Sequence, residues 1–137
     1  MVPASISETT PIVFIVDDDE AVRDSLSIAL EAAGYAVLAF GSARHFLDAY
    51  VPGRPGCLLV DLDLPGMDGP QLVGALVGRD VPLPAVLMSG RLGDGRFERP
   101  LPRGVVAILH KPFGERELIA RVEFALGGPP LPDGDSS

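Results

Sequence analysis

The chain has 137 residues, 47% of them hydrophobic and 22% charged, enough for one domain whose core needs no metal or disulfide staples. A single cysteine, Cys57, excludes an intramolecular disulfide framework, and 11 basic against 19 acidic residues (net charge −8) argue against sequence-independent nucleic-acid binding. No apolar run approaches the roughly 18 residues of a membrane span, and no basic residue precedes Arg23 as a signal peptide would require. The expectation is a cytoplasmic domain that meets neither membrane nor nucleic acid directly.

In chain order, Ile12–Val16 is a continuous apolar run rich in β-branched residues, too short for a helix, and predicts a strand buried on both faces. Val22, Leu26, Ala29, Leu30 and Ala33 recur at helical spacing after the acidic run Asp17–Glu20, and Gly34 closes that helix. Tyr35–Phe40 predicts a second strand. Ser42 suits the N-cap of a short helix that buries Phe46, Leu47 and Tyr50. Cys57–Val60 predicts a third strand ending at Asp61, and Gly69-Pro70 opens a helix to about Val77. Ala85–Met88 and Val105–Leu109 predict two further strands. Glu115–Leu126 closes the pattern as an amphipathic helix burying Leu118, Ile119, Val122 and Leu126.

Strands alternating with helices predict an α/β fold, a single doubly wound five-stranded parallel sheet of flavodoxin-like order 2-1-3-4-5. The stretch 91–104 stands where a fourth helix belongs, yet three glycines, Pro100 and Pro102 predict an irregular loop instead. Residues 1–11 read as a flexible N-terminus, 12–126 as the domain, and 127–137 as a linker-like or disordered tail. No output domain is expected in the eleven residues after Leu126.

Ligands in such sheets bind outside the carboxyl ends of the strands at the switch point. There the predicted strands end in Asp17-Asp18, Asp61, Ser89 and Lys111, the last being the only lysine among the 11 basic residues. Clustered carboxylates repel unless a cation joins them, and hard oxygen ligands favour Mg²⁺. A carboxylate beside Mg²⁺, with lysine and serine donors near it, can attack phosphorus and hold an acyl phosphate.

VDDDEAVRDSL (16–26), VDLDLPGMDG (60–69), MSG (88–90) and HKPF (110–113), in this order and each at a strand end, resemble the receiver domains of two-component response regulators. The first segment is most similar to receivers of nitrogen-fixation and LuxR-type regulators. The resemblance implies that Asp61 accepts the phosphoryl group from a histidine kinase or phosphotransfer protein. It further implies that Asp18 is the chief acidic Mg²⁺ ligand, Mn²⁺ being the substitute, and that Asp17 acts through water. Asp63 would give a backbone carbonyl to the metal. Ser89 and Lys111 would bind the phosphoryl oxygens, the Lys111-Pro112 bond would be cis, and an unspecified downstream protein would read the switch. Beyond accepting the group and hydrolysing it, no conventional enzyme activity is implied.

Receivers normally carry Tyr or Phe three residues before the lysine, where this chain has Ile108. With the 91–104 loop, this leads to the expectation that phosphorylation is read through that loop, Arg91 standing two residues past Ser89. The alternative is a receiver-like scaffold that is never phosphorylated and only binds protein. Two other readings fail on position. DLDL at 61–64 resembles a phosphatase nucleophile motif but follows the wrong strand, and a calcium loop from Asp61 meets Pro65 and Leu72 at ligand positions. His45, His110, Cys57, Met67, Arg96, Arg99 and Arg103 are expected to be solvated or packed without chemical roles.

Overall fold

A computed structural model of the protein describes residues 10–90 and 101–128. Its strands are β1 (Ile12–Val16), β2 (Ala36–Phe40), β3 (Gly56–Asp61), β4 (Ala85–Ser89) and β5 (Val105–His110). Four helices are present among the described residues: α1 (Glu20–Ala32), α2 (Ala43–Ala49), α3 (Gly69–Gly78) and α4 (Glu115–Ala125). The strands form one sheet in the order β2-β1-β3-β4-β5, every pair parallel.

The apolar strands serve two cores because successive side chains leave opposite faces of a sheet. Ile12, Phe14, Val16, Leu58, Val60 and Leu87 meet α2 and α3 through Phe46, Leu72 and Leu76. Val13, Ile15, Cys57, Leu59, Met88 and Leu109 meet α1 and α4 through Leu26, Leu30, Leu118 and Val122. Aromatic edges tighten the first core, with Phe14 5.6 Å from Phe46 and 5.3 Å from Tyr50 between ring centroids.

Local signals place the helix ends. Asp19 caps α1 by accepting from the Ala21 and Val22 amides, and Gly34 follows at φ +97°. Ser42 accepts from His45 N at 3.0 Å and caps α2, as expected. Asp68 and Gln71 form a reciprocal capping box at α3, so Pro70 lies inside the first turn behind Gly69.

The predicted strand at Tyr35–Phe40 begins one residue later, and those ending at Met88 and Leu109 run one further, to Ser89 and His110. Arg121 departs from the polar face expected of α4. It is buried, its Nε donating 3.1 Å to the carbonyl of Ile108 on edge strand β5. Of the predicted loop 91–104, residues 91–100 lie outside the described residues, and 101–104 form a turn into β5 with Val105 N donating to Pro102 O at 3.0 Å. Arg91, Arg96, Arg99 and most of the two flanking segments also lie outside the described residues.

Candidate functional site

All five strands run the same way, so every C-terminal end faces one edge. β1 delivers Asp17 and Asp18 there, β3 delivers Asp61, β4 delivers Ser89, and β5 leads into Lys111. Each strand end is stitched to its neighbour by main chain. Asp17 N donates to Phe40 O at 3.1 Å, Leu62 N to Met88 O at 2.8 Å, and Lys111 N to Ser89 O at 2.7 Å.

One carboxylate oxygen from each of Asp17, Asp18 and Asp61 lies within 4.8 Å of the other two. Asp17 and Asp61 are buried, whereas Asp18 is exposed. Lys111 Nζ lies 3.5 Å from Asp17 Oδ2 and 3.6 Å from Asp61 Oδ2, bridging the two inner carboxylates. Burial pushes the Asp17 carboxyl above its ordinary value. The charge of Asp61 pushes the same way, while the Asp19 amide and Lys111 push back.

Three carboxylates face one ammonium, which leaves negative charge in a partly desolvated place. The donors are hard oxygens grouped at coordination scale, so this set fits a cation such as Mg²⁺. The remaining predicted residues border the cluster. Ser89 is buried at the end of β4, and Asp63 is exposed with its amide donating to Asp61 Oδ1 at 3.2 Å. The Lys111–Pro112 bond is cis.

α3 approaches closely behind Asp61. A Cβ built on Gly69 would stand 2.6 Å from the Asp61 carbonyl oxygen, so only glycine fits. Gly69 had been visible only as a helix opener. Arg23 also bears on the site, its Nη1 donating 2.7 Å to the Asp17 carbonyl. Its place one turn beyond the acidic run was the only signal in the sequence.

His45 is exposed and meets Phe40 edge-on at 5.3 Å, and His110 and Arg103 are exposed. Met67 is an exposed apolar residue of the loop after Asp61. The buried Cys57 thiol is pushed up to about 12 by burial, which suits a core side chain and not a nucleophile.

A doubly wound sheet of this order, with carboxylates and a lysine at its switch-point edge, is the architecture of receiver domains in two-component signalling. The chain belongs to the response regulator receiver domain family, which matches residues 13–123. It is 36% identical over 115 residues to the transcriptional regulatory protein FixJ of Bradyrhizobium diazoefficiens, covering 83% of this chain and 56% of that protein. The response regulator StyR is similar in structure at a TM-score of 0.81 and 35% identity, over 87% of this chain and 60% of that one. FixJ-N is similar at a TM-score of 0.74 and 31% identity, over 87% and 95% of the two chains. This chain spans about half the length of the curated relatives it matches. Among the described residues, no helix is long and apolar enough to cross a membrane.

Proposed function

We propose that residues 12–126 form a cytoplasmic receiver that takes a phosphoryl group onto Asp61 from the phosphohistidine of a histidine kinase or phosphotransfer protein. The observation that carries this reading is the position of Asp61 at the switch point, beside Asp17 and Asp18 and 3.6 Å from Lys111 Nζ. An Asp61 carboxylate oxygen attacks phosphorus, the P–N bond breaks, and its electron pair stays on the imidazole nitrogen of the donor.

Asp18, Asp61, the Asp63 carbonyl and, through water, Asp17 would hold Mg²⁺ or Mn²⁺, which when bound supplies charge compensation to the phosphoryl oxygens. Lys111 shifts from its carboxylate partners toward the new dianion, and Ser89 donates its hydroxyl to it. Water later hydrolyses the acyl phosphate and resets the switch, whose state a downstream protein reads by contact.

Intact mass after incubation with acetyl phosphate and Mg²⁺ tests this. The expected gain is about 80 Da, absent with EDTA and absent in Asp61→Asn. Buried Ile108, standing where receivers carry an aromatic residue, favours a second reading as a binding scaffold. No mass gain in a protein shown to bind Mg²⁺ would select the scaffold.

A further inference from the structure

We infer that Arg23 is a positioning residue for the metal-binding acids, acting through the peptide unit that precedes Asp18; the inference rests on the reading of this edge as a Mg²⁺-dependent phosphoacceptor site. The carboxylate of Asp18 makes no hydrogen bond or ion pair among the described residues, and its side chain is exposed. Nothing at the side-chain level therefore aims it into the cluster. Its direction comes from the main chain, where both flanking peptide units are held.

The peptide after Asp18 is fixed by Asp17, whose Oδ1 accepts from Asp19 N at 2.9 Å. The peptide before it is fixed by Arg23, whose Nη1 donates to the Asp17 carbonyl at 2.7 Å. No backbone amide takes that carbonyl among the described residues. The Asp17 amide still joins the parallel ladder at Phe40 O, but β2 ends there and turns through Gly41 toward α2. Arg23 supplies the donor that the ladder no longer provides.

Arg23 is itself well held. It sits in the first turn of α1, its amide bonded to Asp19 O at 3.0 Å. Its guanidinium lies against Gly41, where a Cβ would stand 3.4 Å from Nη1. It is half-buried and, among the described residues, makes no ion pair with a carboxylate, so there its charge is committed to this one carbonyl. A charged donor on a carbonyl is among the stronger hydrogen bonds.

A positioning role of this kind acts on how well the acids bind a cation, not on chemistry once the cation is bound. The test uses Mn²⁺ as the probe, with free Mn²⁺ read by its electron paramagnetic resonance signal on the unphosphorylated full chain. Arg23→Met is expected to weaken Mn²⁺ binding about tenfold, and Arg23→Lys, which retains one donor, to recover most of that loss. Phosphorylation by acetyl phosphate should need about tenfold more Mg²⁺ for half-maximal rate in Arg23→Met, with the rate at saturating Mg²⁺ within about twofold of wild type.

Binding by Arg23→Met within twofold of wild type would overturn the inference, as would Arg23→Lys behaving like Arg23→Met. A loss confined to the saturating rate would overturn it too. If Arg23→Met does not fold, Arg23→Lys against Arg23→Leu applies the same contrast of a donor kept and a donor removed. Failure of the wild-type chain to bind Mn²⁺ or gain phosphoryl mass would instead overturn the phosphoacceptor reading, and the inference with it.

Discussion

Asp17 carries the central conflict of the site. It is buried beside Asp61, and among the described residues Lys111 and the Asp19 amide favour its charged form. Its carboxyl is therefore harder to ionise in the folded chain than in the unfolded one. A group whose folded value is raised destabilises the fold once pH exceeds the unfolded value, and the penalty disappears as pH falls below it. Without metal, Asp17→Asn should thus be more stable than wild type at pH 7, with the advantage fading toward pH 4. Urea unfolding at both pH values checks this; an equal difference at the two would refute it. At the residue scale the acids and Lys111 were legible because they end predicted strands. Arg23 and Arg121 were not, because a long side chain that bonds a distant carbonyl leaves no periodic trace.

The elements were legible almost throughout. Continuous apolar runs such as Ile12–Val16 and Ala85–Met88 have no other comfortable home than a buried parallel strand. Boundaries moved by one residue where burial did not decide them, as at Tyr35 and His110. The contact of α3 with β3 was hidden, since helix spacing says nothing of how close two backbones come. Gly69→Ala places a methyl group within 2.6 Å of the Asp61 carbonyl and 3.2 Å of Leu87 Cδ2. It should cost about 1–3 kcal/mol of stability, as overpacking does. A chemical denaturation midpoint equal to that of wild type would show that α3 moves away freely.

At the scale of the molecule, the cluster is a concentration of negative charge held by folding alone, for Asp17 and Lys111 lie 94 positions apart in the chain. An ion that binds this edge and not the unfolded chain must raise stability by mass action. At a Mg²⁺ concentration 100 times the dissociation constant the gain should be about 2.7 kcal/mol, which for a domain this size is on the order of 10 °C in Tm. Calorimetry with Mg²⁺, then with EDTA, checks it, and Asp18→Asn should respond less. A Tm indifferent to Mg²⁺ would argue against a metal site at this edge.

The local pattern of apolar runs, caps and strand-ending polar residues determined the fold class, the element order and the kinds of chemical groups at the candidate site, because each is written within a few residues of itself. The distances between those groups, the Gly69 approach, the buried Arg121 and the clamp of Arg23 on Asp17 were decided by tertiary structure. Strand order and helix packing bring together residues whose separation in the chain carries no record of their contact.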